Sequence, residues 1–275
     1  MKKLFFIIFT TVLVLTFVSC SKTTDNGNGR LVVKITDAPF PIDIVESAAV
    51  TITKIEIRKA GDGICDSIPF LVLWEGSETF NLLDLRNGVV ENLLDLEIPA
   101  GEYNLIRLYV EEASLKVKDG DSFSLKVPSG HQTGIKIFIR PGLFVDGGLT
   151  SELLLDFDLS RSFVMRGNMN SPAGIKGFIF KPVIRAVNNS TAGRLEGKVT
   201  DKTNAKIKEA SIIVKQDTVV ASAIADTMGY YAIIGLPSGT YSVHAWKENF
   251  DTVKVDGVNI VAGNRTILNF VLPNK

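Results

Sequence analysis

The sequence predicts an all-β protein with two tandem β-sandwich-like modules behind a signal peptide and a flexible tether. Apolar and polar residues alternate with a period of two through much of the chain, which is typical of half-buried strands. Pro and Gly residues punctuate these segments, as turns require. No segment has the period of a long amphipathic helix.

The first residues have the pattern of a secretory signal peptide, predicted over residues 1–19. Lys2 and Lys3 give a positive start, and residues 4–18 are almost wholly apolar. This run is shorter than the roughly 20 apolar residues that a membrane-spanning helix needs, and it ends in small residues, as a signal peptide does.

Val18-Ser19-Cys20 resembles the end of a bacterial lipobox, although Phe17 stands where that motif usually has Leu. The resemblance implies that Cys20 carries a lipid anchor; the alternative is an ordinary secreted protein with an unrelated cysteine. The polar residues 20–29 are the predicted tether. Ser21 is not the Asp that retains many lipoproteins in the inner membrane, which favours the outer membrane and leaves open which of its sides the protein faces.

The cysteine and charge counts limit which covalent bonds and which partners are expected for this protein. If Cys20 is lipidated, Cys65 is the one remaining cysteine and no internal disulfide can form. Asp62 and Asp66 flank Cys65 in a turn-rich segment and disfavour a reactive thiolate. Basic and acidic side chains balance, and no basic stripe is interleaved with aromatic residues, so nucleic acid is not an expected partner.

The first module is predicted over residues 30–188, and its strands show as apolar residues at every second position. Four such rows are Leu31, Val33 and Ile35; Ile106, Leu108 and Val110; Ile135, Ile137 and Ile139; and Leu153, Leu155, Phe157 and Leu159. The third row alternates with Lys136, Phe138 and Arg140, which therefore face the other way.

One strand of this module changes phase. Val50 and Ile52 lie on one face, whereas Ile55 and Ile57 lie on the other. We expect either a β-bulge near Lys54 or a strand that leaves one sheet and joins another.

Three connecting segments have sequence patterns that predict their structure. Asp119-Gly120 lies between apolar rows and predicts a hairpin, because Asp-Gly suits a turn with positive φ. Residues 87–96 are expected to hold a short helical turn. A small polar segment at residues 188–193 predicts the boundary before a second module, residues 193–275.

Asp156 and Asp158 are two residues apart on a predicted strand, so their carboxylates share a face. The pair has three interpretations: a solvated outer face with Arg161 or Arg166 as partner, a weak candidate site for a hard cation such as Ca²⁺, or paired catalytic acids. The solvated face is the usual environment of charged residues on a strand, and the sequence favours it.

No other pattern indicates catalysis or a cofactor. The chain has two histidines, and Ser129-Gly-His131 is expected to be a turn rather than a nucleophile with its base. Asp37 and Asp84 are predicted to be structural, because aspartates bond backbone N–H groups at turns. No catalytic residue, metal or cofactor is therefore assigned.

His244 and Trp246 are the candidate ligand contacts. They alternate with Val243 and Ala245, so they face away from the core of the second module. An exposed Trp can act as a platform for a sugar ring, which stacks on aromatic faces. The alternative is that Trp246 covers the sheet against a neighbouring strand or the first module.

Several segments of the second module share a family pattern. They are Gly197-Lys-Val-Thr-Asp201, Ala210-Ser-Ile, Ala225-Asp-Thr-Met-Gly-Tyr-Tyr231, Leu236-Pro-Ser-Gly-Thr-Tyr241 and Asn249-Phe250. In these segments the module resembles the carboxypeptidase regulatory-like domain, a prealbumin-type β-sandwich, with Ala225 and Asn249 departing from its usual Thr and Gly. The resemblance implies a non-catalytic accessory or binding domain.

The first module also carries a set of ordered motifs. They are Thr36-Asp-Ala-Pro39, Leu82-Leu-Asp-Leu85 with Asn87-Gly88, Pro99-Ala-Gly-Glu-Tyr103, Leu125-Lys-Val-Pro-Ser-Gly130, Leu155-Asp-Phe-Asp158 and Lys181-Pro-Val-Ile-Arg185. In their order they resemble the bacterial domain of unknown function 4382. That resemblance brings no known activity and implies an envelope lipoprotein.

These observations predict a non-enzymatic, lipid-anchored cell-envelope protein that binds or scaffolds a partner. The candidate partners are a glycan and an envelope protein. A carbohydrate-binding surface lipoprotein is the alternative, and an unrecognised hydrolase is the third interpretation.

Overall fold

The computed structural model describes residues 27–38, 45–61, 68–127, 132–167 and 175–275. Cys20, Cys65 and the Ser129-Gly-His131 segment lie outside these residues. The described part of the chain is mostly β-strand, which confirms the predicted all-β class. None of its helices has the length and apolar character needed to cross a bilayer.

The first module contributes strands β1 to β11 to the described structure. They are β1 (Asn28–Ala38), β2 (Val45–Lys59), β3 (Leu71–Asn81), β4 (Glu91–Pro99), β5 (Gly101–Val117), β6 (Ser122–Leu125), β7 (Ile135–Val145), β8 (Thr150–Asp158), β9 (Phe163–Gly167), β10 (Ile175–Phe180) and β11 (Ile184–Asn188). A 3₁₀ turn, Leu82–Leu85, precedes β4, and a short helix, α1 (Leu159–Ser162), follows β8.

These strands build a sandwich-like body around one core. The main sheet has the order β3-β2-β5-β7-β11-β8-β1-β4, with β6 beside β5, while β9 and β10 form a separate hairpin. One residue pair, Ala186 and Ile139, joins β11 to β7 and so links the two halves of the sheet. Buried residues of both halves pack together in a single cluster, and β3 and β4, at opposite ends of the order, approach each other.

The phase change in β2 is a β-bulge, as predicted. Val50, Ile52, Ile55 and Ile57 are all fully buried. The register of β2 shifts between Ile52 and Lys54 against both β3 and β5. The extra residue returns the second apolar pair to the same core.

Two predicted turns have opposite outcomes. Asp119 adopts φ of 52° in the hairpin between β5 and β6, which confirms the first. The helical turn expected within residues 87–96 is wrong. Asn87 and Gly88 adopt φ of 54° and 80°, which a right-handed helix cannot contain, and the chain then pairs with β1 as strand β4. The helical turn of this region lies earlier, at Leu82–Leu85.

The second module is a two-sheet sandwich. Its strands are β12 (Ala192–Asp201), β13 (Ser211–Lys215), β14 (Val219–Ile224), β15 (Tyr230–Pro237), β16 (Gly239–Trp246), β17 (Val253–Ile260), β18 (Arg265–Ile267) and β19 (Phe270–Leu272). One sheet has the order β15-β12-β18, with β19 also beside β12, and the other has the order β14-β13-β16-β17. The apolar faces of the two sheets enclose a second core.

Both modules contain the same tyrosine corner. The Tyr103 hydroxyl donates to the Pro99 carbonyl at 2.6 Å, and the Tyr241 hydroxyl donates to the Pro237 carbonyl at 2.7 Å. Both rings are buried, and burial raises the pKa of both hydroxyls. Each Pro-x-Gly-x-Tyr segment therefore fixes the start of a strand, β5 in one module and β16 in the other.

The second module packs against the outer face of the first at β8 and β11. Gly235 of β15 adopts φ of 66°, and a Cβ at this position would lie 2.6 Å from Leu154 Cδ2. Leu154 and Val187 are buried there, although neither belongs to the first core. A glycine at position 235 is therefore required both by the backbone conformation and by the close approach of the two modules.

Candidate functional site

The predicted acidic pair is not on a solvated face. Asp156 and Asp158 are buried, at 8% and 5% exposed. The expectation of a solvated outer face is wrong because β8 is a central strand whose second face is covered as well. The second module covers that face at Leu154, and arginine side chains cover it at the two aspartates.

Each aspartate is held by an arginine. Arg161 donates from Nε to Asp158 Oδ2 at 2.7 Å. Arg161 is one of the two arginines predicted as partners of the acidic pair. Asp158 also accepts from the Ser160 hydroxyl and from the Arg161 backbone N–H, so it caps the short helix α1. The partner of Asp156 is neither predicted arginine but Arg185, which donates from Nη2 at 2.5 Å and from Nε at 3.1 Å.

These contacts leave the acidic pair poorly suited to a cation or to proton transfer. Both carboxylates already accept charge-assisted hydrogen bonds from guanidinium groups. Within the residues that the structure describes, no group of three or more His, Cys, Asp or Glu side chains is arranged to hold a metal ion.

Arg185 also links the two modules. Its Nη1 donates to the Gly235 carbonyl at 2.6 Å, and its Nη2 reaches the Ile234 carbonyl at 3.3 Å. One guanidinium therefore joins a buried carboxylate of the first module to the backbone of β15 in the second. Burial raises the pKa of Asp156, and the positive charge of Arg185 opposes that rise.

Asp37 is a third buried carboxyl group at the same end of the sheet. It is 4% exposed, and neither of its oxygens forms a well-aligned hydrogen bond within the described residues. Burial raises its pKa well above the usual range, and the charge of Asp156 adds to the rise; the Leu159 backbone N–H opposes it. Within the described residues, the backbone N–H group that faces Asp37 is that of Leu159, at the start of α1.

Neighbouring residues take the structural roles that were assigned to aspartates. The Thr36 hydroxyl contacts the carbonyls of Leu85 and Val89 at 3.1 and 2.7 Å and so ties the end of β1 to the turn before β4. Asp84 is exposed and accepts from Asn81 Nδ2 at 2.9 Å, a local contact at the 3₁₀ turn.

Arg185 and Thr36 had no predicted role, although both lie in the motifs that carry the family resemblance. One signal could have marked Arg185: it is the charged residue of a short strand, between the apolar Ile184 and Ala186. Such a residue needs a buried partner of opposite charge, and the acidic row of β8 supplies it.

His244 and Trp246 lie where the alternation predicts. Val243 and Ala245 are fully buried, whereas Trp246 is 45% exposed and His244 is half-buried. His244 Nε2 lies 3.2 Å from Ser242 Oγ. Their role as ligand contacts stays a prediction.

The outer face around these two residues, here called the Trp246 face, spans β13, β16 and β17. Its other members include Ser211, Ile213, Ser242 and Lys254. Burial lowers the pKa of His244, and the positive charges of Lys215 and Lys254 lower it further. The imidazole is therefore neutral at pH 7 and can exchange hydrogen bonds with uncharged hydroxyl groups.

Replacing Arg185 should destabilise the folded protein, because it breaks the contact between the two modules. Arg185→Met leaves Asp156 buried without its partner and two carbonyls without a donor, so we expect a loss of roughly 3–5 kcal/mol in the free energy of unfolding, measured by urea denaturation. Arg194→Met is the matched control, because Arg194 is exposed where it pairs with Glu196, and it should cost less than about 1 kcal/mol. Equal losses in the two variants would contradict the role of Arg185.

Replacing Asp37 should change how stability depends on pH. The pKa of Asp37 is raised in the folded state, so its ionisation destabilises the fold as the pH rises from about 4 through the folded-state pKa. Asp37→Asn should therefore raise Tm at pH 8 by about 3 °C or more, and the gain should shrink as the pH falls toward 4. Exposed Asp121→Asn is the control, and an effect of Asp37→Asn that does not vary with pH would refute this account.

Solved structures give only distant likeness. They include the shaft pilin SpaA of Lactobacillus rhamnosus GG, 10% identical with a TM-score of 0.26 over 90% of this chain and 98% of that one. The Bacillus anthracis TIE protein is 13% identical with a TM-score of 0.26 over 90% of this chain. A cohesin–X-dockerin complex of Acetivibrio cellulolyticus is 19% identical with a TM-score of 0.24 over 29% of this chain. This chain spans 34% of the TIE protein and 56% of the cohesin–X-dockerin chain, and TM-scores of this size do not establish a common fold.

Family comparisons are more informative. A comparison with curated proteins gives no significant match. The family model of the carboxypeptidase regulatory-like domain matches residues 194–273. The model of the domain of unknown function DUF4382 matches residues 28–182, which is more than half of the chain. The chain therefore belongs to the DUF4382 family and carries a carboxypeptidase regulatory-like domain after the family's own domain.

Proposed function

We propose that this protein is a non-enzymatic, lipid-anchored binding protein of the bacterial outer membrane. The observation that carries the proposal is the Trp246 face, where a large aromatic side chain is 45% exposed on a regular sheet. The Arg185 link holds β15, in the sheet packed behind this one, in a fixed relation to the first module. Such an arrangement suits a protein that presents a binding surface in a fixed orientation to its first module.

The contacts of the acidic residues support a binding role over a hydrolytic one. Paired catalytic acids need one carboxyl group free to exchange a proton with the substrate. Asp156 and Asp158 are instead engaged by Arg185 and Arg161. Neither matched family description names a catalytic activity.

Carbohydrate binding is the second candidate, and the composition of the Trp246 face favours it. Binding sites for small polar molecules combine an apolar surface with a few well-placed hydrogen-bonding groups. Here the indole ring supplies the apolar surface, and Ser211, Ser242 and the neutral His244 supply hydroxyl and imidazole groups beside it. These groups suit a neutral sugar, and Lys254 beside them is already paired with Asp256 at 2.8 Å.

Removing the indole ring should weaken sugar binding at this face. Trp246→Ala is expected to weaken binding to glycans on an array of neutral envelope and environmental polysaccharides by about tenfold or more. Ile267→Ala is the matched control, since Ile267 is 61% exposed on β18 in the opposite sheet. If Trp246→Ala binds glycans as the wild type does, the carbohydrate role is wrong, and loss of a co-purified envelope protein would then mark a protein-binding face.

The anchor can be tested separately from the binding face. Wild-type protein should fractionate with the outer membrane, and intact-mass analysis should find a lipidated Cys20 as the first residue. Cys20→Ser should release the protein from the membrane, because without acyl chains the predicted tether has no apolar residues to hold it there. Cys65→Ser is the control and should stay membrane-bound.

A Cys20→Ser protein that remains with the membrane would refute lipid anchoring. Protease treatment of intact cells, with detection of the second module, then decides which side of the outer membrane the protein faces.

A further inference from the structure

A cleft of about 680 Å³ opens between the two modules beside the Arg185 link. Strand β7 of the first module lines one side, and the hairpin between β13 and β14 of the second module lines the other. Six charged side chains border the cleft: Lys136, Arg140, Arg161, Arg185, Asp156 and Asp158. Four are cationic and two are anionic, which leaves two positive charges in excess.

The excess charge comes from β7. Arg161 and Arg185 are paired with Asp158 and Asp156 at 2.7 and 2.5 Å. Lys136 and Arg140 are exposed, and no ion pair joins either to a carboxylate in the described part of the chain. These two side chains are therefore available to a ligand that carries negative charge.

An exposed aromatic ring lies between the two cations. Phe138 is 58% exposed, and its ring centroid lies 5.5 Å from Arg140 Cζ. Alternate residues of a strand lie on one face about 7 Å apart, so Lys136, Phe138 and Arg140 form a row of charge, ring and charge. Gln216 and Thr218 add polar side chains from the second module.

The pairing of β7 limits what kind of chain can bind here. Its backbone pairs with β5 on one side, and β11 lies along the other side, joined to it at the pair Ile139–Ala186. With a strand beside each of its edges, β7 presents side chains rather than a free backbone edge to a ligand. A row that alternates charge with a flat apolar ring matches a polymer whose units each combine a ring with a carboxylate.

We propose that this cleft binds an acidic, carboxylate-bearing glycan. Lys136 and Arg140 contact the carboxylates, and Phe138 stacks against a sugar ring between them. The cleft is separate from the Trp246 face, so the protein has two binding surfaces with different preferences for charge.

The test measures binding of oligogalacturonate, a chain of uronic acids, to the mature protein by isothermal titration calorimetry. Its methyl ester keeps the rings and removes the charge, and it should bind at least about tenfold more weakly. Lys136→Gln with Arg140→Gln should weaken binding of the acid by about tenfold or more, and Phe138→Ser by about tenfold. Lys254→Gln and Trp246→Ala change the other face and should leave this affinity unaltered.

Several outcomes would overturn the proposal. They are absence of oligogalacturonate binding, equal binding of the methyl ester, and retention of affinity in the Lys136→Gln, Arg140→Gln variant. Equal affinity for polyglutamate with the same dependence on these residues would assign the cleft to an acidic peptide instead. Because all three substituted side chains are exposed, far-UV circular dichroism of the variants should match the wild type. If oligogalacturonate does not bind but Trp246→Ala weakens binding on the neutral glycan array, this proposal fails and the proposed function stands.

Discussion

The Arg185 guanidinium is the contact on which the arrangement of the two modules depends. It satisfies the buried Asp156 carboxylate and at the same time donates to the carbonyls of Ile234 and Gly235. A buried carboxylate without such a partner is costly, so the ion pair and the docking of β15 support each other. Gly235 permits the approach because any side chain there would meet Leu154.

This link forms one candidate binding surface and leaves the other open to solvent. The cleft exists because the β13–β14 hairpin is held opposite β7, and two of its cations are neutralised by the aspartates that the arrangement buries. The Trp246 face belongs to the sheet that contains the same hairpin and points to solvent. The paired charged residues beside the contact between the modules thus stabilise the fold, whereas the exposed side chains are free for recognition.

Period-two alternation was sufficient to predict the core rows of β1, β5, β7 and β8, the change of phase near Lys54 and the outward direction of His244 and Trp246, because it reports local geometry directly. The helical turn expected within residues 87–96 failed since pairing of β4 with β1 outweighed a weak local preference. The environment of Asp156 and Asp158 was also missed, because alternation shows which residues share a face and does not show what covers it.

The sequence by itself determined the all-β class, the two successive family patterns and the strand faces, since each follows from residues close together in the chain. Only the tertiary structure decided that Arg185 rather than Arg161 or Arg166 pairs with Asp156, that Asp37 is buried, and that Lys136, Phe138 and Arg140 border a cleft. These facts depend on which surfaces meet across long stretches of chain, and burial and ion pairing are properties of the surfaces that meet.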